Sequence, residues 1–284
     1  MNLAVITIAS GRHDHLRLQL KGLASSTSQV DQHVVVAMDD PHIARVCPPT
    51  TAVIAVDRDG GRLPLAAARN AGARHAIALG ADVLIFLDVD CVPSPHLIAS
   101  YEAVAADHPH ALLSGPVAYL PPPSNGGYDL DTLRRSAEPH PDRPALASDE
   151  IRELDHTLFW SLSFAVHAGS WTRIGGFYPA YTGYGAEDTD FAQVARSRGI
   201  PHLILGGAMA YHQWHPTSDP PLQHLDDILR NGRIYRDRWG RWPMPGWLAR
   251  FAELGLITRD AGADDWVRVA GRHHAGGVVR RCPP

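Results

Sequence analysis

Short apolar segments rich in Val and Ile alternate with helical segments through the first third of the chain, and no other feature restricts the possible folds as strongly. The predicted strands are Leu3 to Ile8, His33 to Met38, Ala52 to Val56 and Val83 to Leu87. Helices are predicted at Asp14 to Ala24 and Leu65 to Leu79 from their apolar spacing and alanine content. This βαβ series predicts an α/β fold with a mainly parallel central sheet and helices on both faces.

Less regular elements follow in the rest of the chain. Helices are predicted at Pro93 to Asp107, near Ser170 to Ile174, at Glu187 to Arg198 and between Leu222 and Trp239. Further strands are predicted at Ala111 to Leu120, Phe159 to His167 and Leu203 to Tyr211. Residues 121–150 are rich in proline and glycine, so we expect a long surface loop with at most a short helix around Leu130 to Ser136.

Composition excludes several classes of protein. The chain has 284 residues, 45% of them apolar, which suffices for one large domain or two small ones. Its formal net charge of -4 provides no basic surface for a nucleic acid or a membrane. No apolar stretch approaches the roughly 18 residues of a membrane span, and the apolar N-terminus reads as a strand rather than a signal peptide. The 3 cysteines are too few for a disulfide framework, and we expect a cytoplasmic protein that binds small molecules.

Two carboxylates follow the fourth predicted strand, in the sequence Asp88-Val89-Asp90. Ligands of open α/β sheets bind at the carboxyl ends of the strands. Alternation along an extended chain points Asp88 and Asp90 to the same side, where they could hold a divalent ion that also contacts a diphosphate. Alternatively, one of them caps the helix predicted after Pro93.

A second acidic motif follows Gly175-Gly176-Phe177. It runs from Tyr184-Gly185-Ala186 into Glu187-Asp188-Thr189-Asp190 at the start of a predicted helix. Glu187 or Asp188 could act as a general base beside a glycine-containing loop that lets a ligand approach the backbone. Asp190 or Thr189 could instead cap the helix.

A third motif, from Met209 to His215, ends the predicted strand at Tyr211. A single histidine is usually structural. Beside carboxylates, however, His212 could complete a site for Mn²⁺, which accepts imidazole together with oxygen ligands.

The order of these motifs resembles the GT-A glycosyltransferases of family 2, and the second half is similar to the β-1,4-galactosyltransferase catalytic region. The similarity covers roughly residues 3–215. It implies a GT-A, Rossmann-like sheet with metal ligands Asp90, Met209 and His212, and with Asp88 near the ribose or beside the metal. It also implies that Asp188 is the general base and that Glu187 binds a sugar. Tyr184 and Ala186 depart from the tryptophan and glycine of that family, which leaves the acceptor and the donor hexose open.

The resemblance also implies where the donor binds. The loop after the first strand would contact the nucleotide base, and the acidic pair after the second strand would read uracil. The implied donor contacts are Ala9, Ser10, Arg12, Asp39, Asp40, Arg69, Asn70, Asp88, Tyr184 and Gly185. Two of them have a structural alternative, since Asp40 could be a turn residue before Pro41 and Asn70 a packing residue.

The resemblance predicts a metal-dependent, inverting glycosyltransferase that uses a UDP-sugar and Mn²⁺, with Mg²⁺ as the second choice. Residues 1–215 would form the catalytic domain, with a nucleotide-sugar half at 1–110 and an acceptor half at 111–215. Residues 216–284 would form a lid and a partly helical extension, and residues 213–224 would close over the donor. The loop at 121–150 is either a mobile connector or an acceptor-binding loop. Two alternatives remain, a sugar nucleotidyltransferase and a non-catalytic module that binds nucleotide-sugars or glycans.

Overall fold

The computed structural model describes residues 1–124, 127–141, 143–260 and 262–270. The strands, in chain order, are β1 Leu3–Ala9, β2 Gln32–Met38, β3 Ala52–Val56, β4 Val83–Leu87, β5 Cys91–Pro93, β6 Leu112–Ser114, β7 Val117–Tyr119, β8 Glu138–Pro139, β9 Ile151–Glu153, β10 Ser163–His167, β11 His202–Leu205, β12 Ala210–His212, β13 Ile257–Asp260 and β14 Asp265–Arg268. The α-helices are α1 His13–Ala24, α2 Ile43–Val46, α3 Leu65–Ala78, α4 Leu97–Asp107, α5 Leu133–Ser136, α6 Ala168–Ile174, α7 Glu187–Ser197, α8 Leu225–Trp239 and α9 Pro245–Glu253. Short 3-10 turns span Leu130–Thr132, His156–Leu158 and Leu222–His224.

The large sheet has eight strands in the order β3-β2-β1-β4-β10-β6-β11-β9. Its first four strands are parallel, with Ile6 of β1 opposite Val34 of β2 and Phe86 of β4. The predicted βαβ series and the α/β class are therefore confirmed. β10 runs antiparallel to both of its neighbours, and β9 closes the other edge.

The two faces of the sheet are covered by different helices. Alternate residues such as Ile6 and Phe86 pack with the alanines of α3 and with α6 and α7 on one face. Their neighbours, among them Val5 and Ile85, pack with Tyr101 of α4 on the other. Strands buried on both faces are continuously apolar, which explains why β1 and β4 were readily predicted.

Two of the predicted long strands are wrong, because each divides between two sheets. Residues 111–120 form β6 in the large sheet and β7 in a second sheet, of order β5-β12-β7-β8. The division lies at Gly115, where a Cβ atom would come within 1.9 Å of the carbonyl oxygen of Ala208. Residues 203–211 likewise divide at Gly206 into β11 and β12. A backbone approach this close requires glycine, and the chain changes sheets there.

Other boundaries also differ from the prediction. The helix expected from Pro93 begins at Leu97, because Cys91–Pro93 pairs with β12. The strand expected from Phe159 begins at Ser163. The short helix expected in the loop at 121–150 is present, as the turn at Leu130–Thr132 followed by α5.

The C-terminal extension contains more structure than the single predicted helix. Besides α8, it includes α9 and the β13–β14 hairpin, which enclose an apolar cluster around Leu225, Leu248 and Phe251. Residues 271–284 of the predicted extension lie outside the described residues. Among the helices of the described ranges, none is long and apolar enough to cross a membrane.

Candidate active site

The first and third sequence motifs meet at one edge of the large sheet. Asp88 and Asp90 follow β4 directly, at the carboxyl end of the parallel strands. The backbone N–H of Gln213, the residue after β12, donates a hydrogen bond of 2.7 Å to the carbonyl oxygen of Asp90. This bond brings the end of β12, and with it His212, to the carboxylate of Asp90.

Asp90, His212 and His215 form a group that could hold a divalent ion. One ligand atom from each side chain lies within 4.8 Å of the other two. The Asp90 carboxylate is 3.6 Å from Nε2 of His212 and 3.5 Å from Nε2 of His215. Neighbouring ligand atoms around one ion are roughly 3 to 3.5 Å apart, so the spacing fits a common ion.

The protonation states of this group also suit a metal. Burial lowers the pKa of His212, although Asp90 opposes the shift, so the imidazole is neutral near pH 7 as a ligand must be. For Asp90, burial opposes ionisation, but contacts with His212, His215 and Arg12 lower the pKa below its usual range. Nη1 of Arg12 lies 3.1 Å from Oδ2 of Asp90. One carboxylate and two imidazoles are a donor set that Mn²⁺ accepts.

The structure does not bring Met209 to this group. Its side chain packs with Tyr211 in an apolar cluster that includes Val92 and Leu120. Side chains alternate along a strand, so His212 faces away from Tyr211 and Met209. His215 was not among the predicted ligands, although its spacing of three residues from His212 was the available signal.

A buried arginine joins the first motif to the second. Arg69 of α3 is 4% exposed, with Nη2 3.0 Å from Oδ1 of Asp88 and Nη1 3.4 Å from Oε1 of Glu187. Burial raises the pKa of Asp88 to about 6, and the charge of Arg69 partly offsets this rise. Arg69, expected to bind the donor, thus contacts two site carboxylates directly.

Glu187 and Asp188 begin α7 and differ in their surroundings. Glu187 is 6% exposed, and burial followed by the charge of Asp188 raises its pKa from 4.5 to about 7. Asp188 is less buried; its Oδ1 accepts hydrogen bonds from the backbone N–H of Thr189 at 2.7 Å and from the Thr189 hydroxyl at 3.3 Å. Burial raises the pKa of Asp188 as well. Two adjacent carboxyl groups with raised pKa values indicate a functional site.

The expected helix cap at Thr189 or Asp190 is absent from α7. Ala186 occupies the N-cap position without a side-chain hydrogen bond, in a left-handed conformation with φ of 71°. Asp190 instead binds α8, accepting hydrogen bonds from Nε of Arg238 at 2.8 Å and from Nε1 of Trp239 at 2.7 Å.

Helix α8 of the extension also fixes the glycine-containing tract before α7. Nδ2 of Asn231 donates to the carbonyl oxygens of Gly185 at 2.8 Å and Thr182 at 3.1 Å. Oδ2 of Asp227 accepts a hydrogen bond of 3.3 Å from the backbone N–H of Tyr184. A Cβ atom at Gly183 would lie 2.2 Å from the same Asp227 oxygen, so glycine is required there.

Of the two acidic residues after β2, Asp40 has a structural role and Asp39 is accessible to solvent. Oδ2 of Asp40 accepts the backbone N–H of Gly11 at 2.7 Å and lies 2.8 Å from Nε2 of His13. Asp40 therefore holds the loop after β1. Its Oδ1 also accepts a hydrogen bond of 3.0 Å from the backbone N–H of His42, which supports the alternative of a turn residue before Pro41. Asp39 is exposed and pairs with Nε of Arg58 at 2.7 Å.

The other residues expected to contact the donor differ in their burial and in their hydrogen bonds. Asn70 forms two hydrogen bonds with the backbone of Phe177, of 2.7 and 2.9 Å, which supports its packing alternative. Ala9 ends β1 and is buried, whereas Ser10 is half-buried in the loop that follows. Tyr184 is 37% exposed beside Gly185 and the α7 carboxylates.

We compared the sequence and the fold of the chain with those of known proteins. No protein-family model matches the chain. The chain is 28% identical over 158 residues to the validoxylamine A glucosyltransferases of Streptomyces hygroscopicus subsp. jinggangensis (strain 5008) and subsp. limoneus. These matches cover 49% of this chain but 37% and 34% of the two relatives, so the chain spans about a third of their length.

Solved structures with the same fold are glycosyltransferases. GalNAc-T7 with UDP, GalNAc and Mn²⁺ superposes with a TM-score of 0.60 at 16% identity, covering 84% of this chain and 48% of that one. Residues 1–349 of S. aureus TarS in complex with UDP-GlcNAc give a TM-score of 0.56 at 12% identity, covering 83% and 67%. The chain therefore has the GT-A fold of these enzymes, as the sequence resemblance predicted.

Proposed function

We propose that this chain is a glycosyltransferase that takes a sugar from a UDP-sugar with the help of a divalent ion. The main support is that Asp90, His212 and His215 lie together, with Asp90 two residues after Asp88. Arg69 of α3 binds both Asp88 and Glu187, and so joins this group to the carboxyl groups of α7. Sugar transfer from a nucleotide requires a group of residues that can hold a metal ion and a carboxyl group that can act as a general base. The structure offers candidates for both, the second being the pair of carboxyl groups with raised pKa values.

The donor side of the proposal rests on the edge of the sheet formed by β1, β2 and β4. Arg12 contacts the proposed metal group and carries the positive charge that a diphosphate needs. Asp39, exposed at the end of β2, is the carboxylate available to accept a hydrogen bond from a base. Structures of the same fold contain UDP with Mn²⁺ or UDP-GlcNAc, which supports a UDP-sugar as the donor.

Asp90, His212 and His215 would hold the ion, with Mn²⁺ expected before Mg²⁺ because two of the three ligands are imidazoles. When bound, such an ion stabilises negative charge on a leaving diphosphate. Met209 is not part of the proposed set, since it packs in an apolar cluster.

The acceptor would be activated by Asp188. Glu187 is the more buried of the two carboxyl groups and is bound to Arg69, whereas Asp188 is more accessible to a hydroxyl group. Asp188 would take the proton of that hydroxyl group as its oxygen bonds to the anomeric carbon from the face opposite the diphosphate. The bond between the sugar and UDP breaks at the same time, UDP leaves, and the configuration at the anomeric carbon is inverted. The sequence resemblance to the β-1,4-galactosyltransferase region supports this outcome, since it implies Asp188 as the general base. Glu187 would then bind the sugar, positioned by Arg69.

We also propose a division into a catalytic domain at residues 1–215 and an extension at residues 216–284. The cysteine content leads us to propose a cytoplasmic location, and residues 121–150 are proposed to act at the acceptor. The many contacts of α8 with the tract before α7 show that the two proposed parts pack together closely.

The test is to incubate the protein with Mn²⁺ and UDP-glucose, UDP-GlcNAc or UDP-GalNAc, and to measure UDP release with and without acceptors. Validoxylamine A, named in the curated relatives, is the first acceptor to add. Acceptor-stimulated UDP release supports the proposal. Pyrophosphate release from UTP and a sugar phosphate would identify a nucleotidyltransferase, and binding without any release would identify a non-catalytic module.

A further inference from the structure

Gln19 of α1 has a buried amide group that binds the turn containing Asp90. Its side chain is 0% exposed, and its Nε2 donates hydrogen bonds of 2.7 Å to the carbonyl oxygen of Asp88 and 3.0 Å to that of Cys91. Its Oε1 accepts a hydrogen bond of 2.9 Å from the hydroxyl group of Thr7, in the middle of β1. A primary amide has two N–H donors and one oxygen, so these bonds use all of its hydrogen-bonding groups.

The two carbonyl groups that Gln19 binds stand at the ends of a tight turn. The backbone N–H of Cys91 donates a hydrogen bond of 2.8 Å to the carbonyl oxygen of Asp88, and this bond closes the turn. Between the two ends, the carbonyl oxygen of Asp90 accepts the backbone N–H of Gln213 at 2.7 Å. The backbone on both sides of Asp90 is therefore held, which restricts the direction in which its carboxylate can point.

The same helix also holds the segment that follows His212. His15 lies four residues before Gln19, so the two residues are neighbours on the surface of α1. The carbonyl oxygen of His15 accepts a hydrogen bond of 3.0 Å from Nε2 of Gln213. Nε2 of His15 lies 3.3 Å from the carbonyl oxygen of Trp214. Helix α1 thus contacts both chain segments that carry the proposed metal ligands.

The position of this amide in the core also indicates a specific role. Thr7 is the polar exception in β1, which is otherwise apolar and buried throughout. Gln19 shares the buried face of α1 with Leu16 and Gly22. Burying polar groups costs free energy that their hydrogen bonds only offset, whereas apolar side chains would pack here without that cost. A buried polar network with all of its bonds made specifies one arrangement of the backbone that it binds.

We propose that Gln19 is a positioning residue that fixes the Asp90 carboxylate relative to His212 and His215 before an ion binds. The inference rests on the proposed function and deepens it, since the ion is the one proposed to act on the leaving diphosphate. Residues that orient the ligands of a metal typically contribute about 10- to 100-fold to metal affinity. Gln19 acts through the backbone of the turn, so we expect an effect at the lower end of this range.

Calorimetric titration with Mn²⁺ alone tests the proposal. Gln19→Met keeps a side chain of similar length but removes the amide group, and it should raise the dissociation constant of Mn²⁺ about tenfold. Thr7→Val removes the hydroxyl group that binds Oε1 of Gln19 and leaves the amide in place. It should weaken Mn²⁺ binding by a smaller factor, about two- to fivefold, as expected for one buried hydrogen bond.

Ser170→Ala is the matched control. Ser170 is 2% exposed, and its hydroxyl group donates a hydrogen bond of 2.9 Å to the carbonyl oxygen of Pro109. It lies in α6, which follows His167 opposite Val83, at the other end of β4 from Asp88. The variant thus loses a buried hydrogen bond far from the proposed ligands and should bind Mn²⁺ within about twofold of the wild type.

The outcomes separate positioning from a purely structural role. Thermal unfolding gives the temperature below which each variant is folded, and a structural role would lower this temperature without changing the Mn²⁺ affinity of the folded protein. Wild-type affinity in folded Gln19→Met, or an equal loss in Ser170→Ala, would overturn the inference and leave the proposed function standing. If Gln19→Met does not fold, Thr7→Val decides in the same way. If the wild type does not bind Mn²⁺, the proposed metal site fails, and the inference fails with it.

Discussion

Asn231 of α8 donates a hydrogen bond of 2.8 Å from Nδ2 to the carbonyl oxygen of Gly185, two residues before the acidic pair of α7. The same amide reaches the carbonyl oxygens of Thr182 and Tyr184, at 3.1 and 3.3 Å. A helix outside the predicted catalytic region thereby fixes the backbone that leads to Glu187 and Asp188.

Asn231→Ala should destabilise the protein. The substitution leaves a buried carbonyl group without its donor, which costs about 1 to 3 kcal/mol in the free energy of unfolding. Urea denaturation measures this change. Gln223→Ala, at an exposed amide, is the control and should change the free energy of unfolding by less than about 0.5 kcal/mol. Equal stability of the two variants would show that the Asn231 contacts contribute nothing.

UDP should bind weakly in the absence of a divalent ion, because the negative charge of Asp90 repels a bare diphosphate. His215→Ala should weaken Mn²⁺ binding by at least about tenfold, since even residues that only support metal ligands contribute about 10- to 100-fold. Calorimetry with Mn²⁺ alone, and with UDP in Mn²⁺ or EDTA, measures both effects. His110→Ala, at an exposed histidine, serves as the control. Equal UDP affinity in EDTA would contradict the proposed metal site.

Asp188→Asn should lower turnover about 10²- to 10⁴-fold while donor affinity changes little, because a general base acts on the acceptor in the transition state. Steady-state kinetics of UDP release and calorimetric UDP binding separate the two quantities. Asp107→Asn, on the exposed end of α4, should behave like the wild type. If Asp188→Asn retains wild-type turnover, the base lies elsewhere, and Glu187 is the next candidate.

Glu187 should make the protein less stable as pH rises from about 4.5 to about 7. Burial, and then the charge of Asp188, raise its pKa from 4.5 to about 7. In this interval the folded protein binds the proton more tightly than the unfolded chain, so the free energy of unfolding falls as pH rises and levels off above the raised pKa.

Urea denaturation of wild type and Glu187→Gln across this range, in EDTA, measures the effect. The variant should be the less sensitive to pH, because its side chain does not titrate. Parallel stability curves for the two proteins would show that the pKa of Glu187 is not raised.

Part of the segment at residues 213–224 should become ordered when Mn²⁺ and a UDP-sugar bind. Its first residue, Gln213, is already anchored by a hydrogen bond of 3.0 Å from its Nε2 to the carbonyl oxygen of His15. His215, a proposed ligand, is followed by a proline-rich stretch. Ligand binding at such a hinge would tie metal binding to loop closure.

Amide hydrogen exchange should therefore show protection that increases at residues 216–224 and is unchanged at Gln213. Unchanged protection of the whole segment under saturating ligand would mean that it is a permanently ordered turn rather than a lid. Exchange in β1, which is buried in the sheet, provides the internal control.

The two predicted site motifs at Asp90 and His212 do lie together, and Glu187 is joined to Asp88 through Arg69. Asp90 and His212 meet because β12 pairs antiparallel with β5 in the second sheet, with His212 opposite Cys91, and no local sequence pattern recorded that pairing. Asp40 and Asn70 both form hydrogen bonds with backbone segments, as their structural alternatives would require, and their contacts with a donor stay predictions.

The sequence by itself determined the parallel core of β1 to β4, because a strand buried on both faces is a local run of apolar residues and the helix between two such strands has its own periodicity. Tertiary structure alone decided which residues form the group that could hold a metal. Met209 and His215 are equally far in sequence from His212, and only the direction of β12 and the chain that follows it separates them. The same holds for Asn231 and Trp247, whose contacts with Gly185 and Tyr184 join segments far apart in sequence, and no local pattern records such a contact.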